Sequence, residues 1–340
     1  MRWFSCQIIV VACLLEMATT VALRADEPAK VIRVGMIGLD TSHVIAFSSI
    51  LNDPKAAGDL AGVKVVAGFP GGSLDLPSSR DRVKQYTDEL RAKGVEIVDS
   101  IDELLKKVDV VMVMSVDGRP HLAQAKPVLA AGKTLYIDKP FAGSLADALE
   151  IARLAKEKGV PIFSSSSSRF SSGVMAIRRG ESTVGEVRGC DAYGPCSLEP
   201  HHPDLFWYGI HGVEILFTIM GPGCQSVTRV HTNRTDVAVG VWKDGRIGTF
   251  RGIRDGKSDM GALVFGTKAI AAAGPYEGYK PLVIEIAKFF KTGKPPIDIE
   301  ETVAISAFME AADESKRQGG VPVSIEDVIK KAQDATAAKK

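Results

Sequence analysis

The sequence predicts an α/β protein: a parallel sheet covered on both faces by helices, followed by an α+β domain with an open, mainly antiparallel sheet. Three observations carry that expectation. In the first half, apolar β-branched runs alternate with amphipathic helical patterns, as strands buried on both faces require. In the second half, short strand-like runs flank Lys243-Asp244-Gly245-Arg246, a hairpin turn signal. Residues 31–43 read V-I-R-V-G-M-I-G-L-D-T-S-H, an apolar strand entering Gly35 and Gly38, after which a polar tripeptide opens a helix.

In chain order, strands are expected at residues 31–37, 63–68, 95–98, 108–114, 134–137 and 161–164, with helices at 43–51, 79–93, 101–107, 121–131 and 144–158 between them. A strand at 185–193 and a helix at 205–220, rich in aromatic and aliphatic residues, open the second half. Strands at 227–232, 236–242, 246–253 and 261–265 follow, then helices at 279–291 and 300–318 with Gly293 and Pro295-Pro296 as punctuation. The segment 323–328 is expected to pass back to the first domain. The domains are read as 26–165 and 166–340.

Residues 1–25 have the pattern of an export signal. Arg2 precedes an apolar run at 8–15, and Ala25 stands ahead of a cleavage point. The run is short for a spanning helix. Cys13, in Val-Val-Ala-Cys, also fits a lipoprotein cleavage box, and an uncleaved anchor is a further alternative. The expected location is periplasmic or extracellular, with no membrane partner after cleavage. Without Arg2, Arg24 and Glu16, the 42 basic and 41 acidic residues balance, so no field favours nucleic acid. Cys190, Cys196 and Cys224 remain, an odd number: either Cys190–Cys196 is a disulfide or all three are small buried hydrophobes.

In a G-x-G-x-x-G loop the second glycine lets the backbone approach a pyrophosphate, and the third lets helix and strand pack closely. Counting from Gly38, those places hold Asp40 and His43. A carboxylate roughly 4 Å from a phosphate costs about 4 kcal/mol at an effective dielectric of about 20, roughly a thousandfold in affinity. Alternatively, Asp40 caps the helix, and the Thr41 and Ser42 hydroxyls with the helix N–H groups hold an anion. The second strand ends without the acidic residue that holds a ribose: Gly68 runs into Phe69-Pro70-Gly71-Gly72-Ser73, and Asp75 comes later. Ser115 and Asp117-Gly118-Arg119-Pro120-His121 follow a strand carboxyl end, where open α/β sheets place ligands.

Several segments together carry a resemblance: Gly38 in the turn, His121 before a helix, Ala131-Gly132-Lys133, Ile137-Asp138-Lys139-Pro140, Arg169-Phe170, Gly209-Ile210-His211 and the run from Glu310 to Ser315. In this order the chain resembles the Gfo/Idh/MocA oxidoreductases. The resemblance implies a Rossmann-type domain binding NAD or NADP and a second domain that contacts a sugar or sugar derivative. It places Lys139 and His211 as catalytic residues, and Gly38, Asp40, Thr41, Ser42, His43, Ser115, Asp138 and Lys139 around the cofactor. A lysine can polarise a substrate hydroxyl, and an imidazole can move its proton. Where the family commonly carries Asp, four residues before the histidine, this chain has Trp207. Tryptophan transfers no proton but stacks on a sugar face. Arg169, Trp207, Tyr208 and Glu214 are the expected substrate residues. The family's open sheet suggests a homo-oligomer.

Two other readings stay open. One is a cofactor-free or metal-dependent sugar lyase or isomerase using His211 and Glu214. The other is a non-catalytic carbohydrate-binding protein with Phe206, Trp207 and Tyr208 as a stacking platform. Cys196, His201, His202, Asp204, His211 and Glu214 crowd one window, yet no ligand spacing supports a metal site, and none is assigned. The serines at 164–168 can bond cofactor or sugar hydroxyls, or form a flexible crossover.

Overall fold

The computed structural model describes residues 31–338. The expected export signal, with Cys6 and Cys13, lies outside the described residues. Among the described residues no helix is long and apolar enough to cross a membrane.

The first half forms β1 (Ile32–Ile37), α1 (Ser42–Leu51), β2 (Val63–Phe69), α2 (Pro77–Ala92), β3 (Glu96–Ile97), α3 (Ile101–Lys107), β4 (Val110–Val113), α4 (His121–Ala130), β5 (Leu135–Asp138), α5 (Leu145–Lys158) and β6 (Ile162–Ser165). The six strands are parallel in the order β3-β2-β1-β4-β5-β6, so the strand order reverses between β1 and β4. Open α/β sheets bind ligands in the crevice beyond that switch point. The apolar strand runs are explained by the two cores they fill: Val34, Met36 and Met112 on one face, Ile37, Val111 and Val113 on the other. Ser144 caps α5 by accepting from Asp147 N, and Ser100 caps α3 by accepting from Glu103 N.

The turn after β1 departs from a simple capped start. Gly38 has φ +85, and a Cβ there would lie 2.6 Å from Ser115 N, so glycine is required twice over. Thr41, not Asp40, caps α1: its hydroxyl accepts from His43 N at 3.4 Å. The β1–β2 pairing also runs on past β1, with Gly38 N donating to Phe69 O (2.9 Å) and Leu39 N to Pro70 O (2.7 Å).

The second half adds α6 (Ser172–Arg178), β7 (Val187–Pro195), α7 (Asp204–Trp207), α8 (Ile210–Met220), β8 (Cys224–His231), β9 (Thr235–Trp242), β10 (Ile247–Ile253), β11 (Gly261–Gly266), β12 (Ile270–Ala272), α9 (Lys280–Thr292), α10 (Ile299–Arg317), β13 (Val323–Ser324) and α11 (Ile325–Ala337). The seven-stranded sheet has the order β12-β11-β7-β10-β9-β8-β13 and is antiparallel except for β7 with β10. Helix α8 covers one face, with Val213, Leu216 and Phe217 in the core beside Ala192 and Phe250. Tyr193, Ile247 and Leu263 are exposed.

Two expectations are corrected. The helix expected at 205–220 is broken at Tyr208-Gly209 into α7 and α8. Residues 323–328 do not pass straight to the first domain: β13 pairs with β8, and only then does α11 run along α5. The 165/166 division is crossed by α9, whose Leu282, Ile286 and Phe289 share a core with Val34, Phe47 and Phe163. Of the two cysteine readings, the structure shows free thiols: Cys190 and Cys196 are buried and Cys224 half-buried. Cys190 lies within β7, and Cys196 extends the same pairing by donating to Ile253 O. At about 3.3 Å per residue the two stand about 20 Å apart, beyond the roughly 7 Å Cα limit of a disulfide.

Because α9 completes the core of the first sheet, Phe289→Ala should behave as a first-domain core lesion. Phe289 is fully buried, its ring 5.0 Å from that of Phe163. We expect a loss of about 3–5 kcal/mol in urea unfolding. A loss below about 1 kcal/mol would show that α9 is only peripherally attached.

Candidate active site

The carboxyl ends of β5 and β6 and the start of α8 bring the candidate proton-handling groups together. Lys139 follows β5 directly and is 7 % exposed, with Nζ 5.6 Å from the centroid of the Tyr208 ring. Tyr208 sits in the break between α7 and α8 and is exposed. The His211 ring lies edge-on to it at 5.7 Å.

The serines after β6 hold His211. Ser168 Oγ donates to the His211 carbonyl (3.0 Å), and Ser168 N donates to Ser166 Oγ (3.2 Å). Ser166 Oγ lies 2.8 Å from Ser168 Oγ and 2.7 Å from His211 Nδ1. With the Ser168 proton committed to the carbonyl, the arrangement that satisfies every partner has Ser166 donating to Ser168 and accepting from His211 Nδ1–H. That leaves His211 Nε2 as a bare lone pair. Burial, then the Lys139 and His43 charges, hold its pKa well below the ordinary imidazole value. His211 is thus a neutral base in a fixed tautomer.

A second pair was not visible as such in the sequence. His43 Nδ1 lies 2.6 Å from Asp138 Oδ2, both side chains buried. Burial would raise the Asp138 carboxyl, but the charge and hydrogen bond of His43, with Lys139, hold it below the usual value. The Tyr136 hydroxyl donates to Asp138 Oδ1 (3.2 Å). The His43 ring stacks on Phe47 at 5.3 Å and meets Tyr279 edge-on at 4.8 Å.

Asp40 turns inward. It is fully buried, accepting from Val116 N (2.8 Å) and from Ser79 Oγ (2.6 Å). Burial raises its pKa, partly offset by those two bonds. Ser79 Oγ also accepts from Ser73 N (2.8 Å), and Ser73 Oγ donates to Asp117 (2.6 Å). Arg119 bridges Asp117 and Asp75. The loop from Pro70 to Leu76 is thereby fastened across the switch point. Gly71, at φ +58, sits so close that a Cβ there would be 3.4 Å from Gly38 Cα. Leu76, Val116 and Trp207 make a small buried apolar cluster beside it. Ser115 is spent internally, its Oγ paired with the Gln124 amide (2.8 and 3.0 Å).

Several expected substrate residues face other work. Arg169 is buried between Glu214, bonded through Nε, and Glu301 (2.8 Å), while Ser165 Oγ donates to Glu214 (2.9 Å). Both are held in ion pairs, though Arg169 Nη2 is buried without a hydrogen-bond partner. Trp207 is buried in the Leu76–Val116 cluster and Phe206 is fully buried, so of the three proposed stacking residues only Tyr208 is exposed. The metal-ligand window is likewise dispersed. His202 Nε2 accepts from Gly118 N (3.2 Å), Asp204 pairs with Lys316 (2.6 Å) and Arg229 (3.0 Å), and among the described residues no group of three or more donors could hold a metal.

A parallel sheet with a switch-point crevice, and a second domain that brings His211 toward Lys139 there, make a two-domain α/β architecture with a Rossmann-type first sheet. Residues 77–166 match the Gfo/Idh/MocA family model, described as an oxidoreductase family with an NAD-binding Rossmann fold. An uncharacterized oxidoreductase of Escherichia coli, YhhX, is 28 % identical over 138 residues, covering 37 % of this chain and 40 % of that protein. The match therefore spans well under half of that relative's length. A probable dehydrogenase from Thermotoga maritima superposes with a TM-score of 0.70 at 20 % identity, over 87 % of this chain and all of that one. The scyllo-inositol dehydrogenase of Lactobacillus casei, solved with NAD(H) and scyllo-inositol, gives 0.70 at 14 % identity, over 87 % and 100 %. The chain thus matches the Gfo/Idh/MocA oxidoreductase model, with its NAD-binding Rossmann fold, over residues 77–166, and shares its overall fold with these dehydrogenases.

The residues of this chain do not fit a dinucleotide in the ordinary seat. The positions that admit a pyrophosphate hold a buried carboxylate and an imidazole bonded to Asp138, and Gly71 is packed on Gly38.

His121, His202 and His211 all have pKa values lowered mainly by burial. Below about pH 6.5 the unfolded chain binds protons that the folded chain refuses, so stability falls as pH drops through that value. The urea midpoint should be lower at about pH 5.5 than at about pH 7. Asp313, pushed up to about 7 by burial, acts in the opposite sense over this window, so an equal or higher midpoint would mean that the three imidazoles do not outweigh it.

Proposed function

We propose that the chain is an enzyme acting by acid–base catalysis on a polyhydroxylated, sugar-like substrate seated against Tyr208, Lys139 and His211. The observation that carries this reading is His211, held through Nδ1 by Ser166, with Lys139 and His211 both set against the Tyr208 ring. His211 Nε2 takes a proton from the substrate, and Lys139 stabilises the negative charge that develops on oxygen. Tyr208 offers an exposed ring for the apolar face of a sugar or cyclitol. The inositol substrate of the L. casei dehydrogenase supports a polyol as the substrate class. NAD(P)-dependent oxidation of such a compound is the reading the family name favours. Cofactor-free lyase or isomerase chemistry is the one favoured by the packed crevice.

The test is calorimetric screening of polyols and sugars, including scyllo-inositol, followed by turnover of those that bind. We expect His211→Asn and Lys139→Met to bind the ligand within a few-fold of wild type and to lose about 10²–10⁴-fold in turnover. Unchanged turnover in both variants would remove this pair from the chemistry.

A further inference from the structure

We infer that this chain does not use an exchangeable dinucleotide, because its own Asp40 carboxylate and the Pro70–Leu76 loop occupy the pyrophosphate seat. A pyrophosphate in such a crevice needs backbone N–H donors at the switch point, room above the first glycine and no opposing charge. Here each requirement is met by the chain instead. The Val116 N–H, the donor at the end of β4, is bonded to Asp40 Oδ1, and the Ser79 hydroxyl to Oδ2. Leu39 N is bonded to Pro70 O. The room above Gly38 is taken by Gly71, and the flank by Leu76, Val116 and Trp207.

The loop is braced as a unit rather than laid across the crevice. Ser73 bonds Ser79 and Asp117, Asp75 bonds Arg119, and Arg119 returns to Asp117. The second domain joins the closure: His202, from the segment leading into α7, accepts from Gly118 N, and Trp207 reaches the Leu76 cluster. Opening the seat would break these bonds together and leave the Asp40 carboxylate against the incoming phosphates.

The consequence bears on the reaction class and rests on the acid–base reading above. With no hydride acceptor, a proton taken by His211 Nε2 must return to the substrate at another atom or leave with a departing hydroxide as water. In either case the protein ends unchanged and no electrons are lost, so isomerisation or dehydration balances without an oxidant. The proton that His211 takes up can itself be returned from Nε2, so one base suffices for either reaction.

The experiment is titration of the purified full-length protein with NADH and with NADPH by calorimetry, with mass spectrometry of what denaturation releases. No saturable binding up to millimolar nucleotide and no released dinucleotide are expected. A micromolar dissociation constant, or a dinucleotide carried through purification, overturns the inference. A second arm uses inorganic pyrophosphate as the probe. Pyrophosphate should raise the Tm of folded Asp40→Gly, where the Val116 and Ser79 donors are released, and leave wild type unmoved; a Tm rise in wild type counts against it. Polyol binding in the same protein without nucleotide is read separately, so its absence would sink the proposed function and leave this inference standing.

Discussion

The structure turns on one buried carboxylate. Asp40 stands at the switch point, where the strand order reverses between β1 and β4, and it joins the two sides through Val116 N and Ser79 Oγ. A buried carboxylate is tolerated only when its lone pairs are taken up, and both oxygens of Asp40 are. Its burial raises its pKa, so the group is held by geometry at an electrostatic cost. What that cost secures is the position of the loop over Gly38 and, through Ser73, Asp117 and Arg119, the closure of the crevice.

Buried ion pairs fix the other wall. Arg169 lies between Glu214 on α8 and Glu301 on α10, and Arg178 on α6 shares Glu301 (2.7 Å). Arg229 on β8 gathers Asp204, Asp236 and Asp313 around a fully buried guanidinium. Such groups do not by themselves add much net stability, yet breaking one partner leaves a charge stranded, so they hold register strongly. Through Asp204 and the Leu205 N–H, bonded to Asp313, the second set holds α7, and with it Trp207 and Tyr208. The first set holds the serine turn that orients His211. The placement of Tyr208 and His211 is thus a consequence of buried charges set behind them.

Much of the fold was legible in the sequence because its signals are local. Strands apolar on both faces and helices opened by Ser100 or Ser144 state their own identity. What failed was non-local. The apolar period runs unbroken from Leu205 to Met220, so the break at Tyr208-Gly209 left no trace in it. Nothing near residues 280–292 says that their helix will pack on a sheet that begins with residue 32. The short α6 and β12 were missed for want of a long periodic run; α11, amphipathic over 13 residues, carried that signal and was still not read from it. In the site, Lys139 and His211 were named from the motif, whereas the partners of Asp40 lie 39 and 76 residues away and that of His43 lies 95 away. One signal could have linked the last pair. His43 stands where the loop pattern expects its third glycine, and the carboxylate that meets its imidazole, Asp138, directly precedes the lysine of the motif.

The account's central claim is that the chain itself fills the place of the dinucleotide. A crystal structure of the protein grown with a polyol and millimolar NADH tests it most directly. The account predicts Asp40 still bonded to Val116 N and Ser79 Oγ, the loop from Pro70 to Leu76 in place over Gly38, and no nucleotide in the crevice. A pyrophosphate lying on Leu39 and Asp40, with that loop displaced, would contradict it.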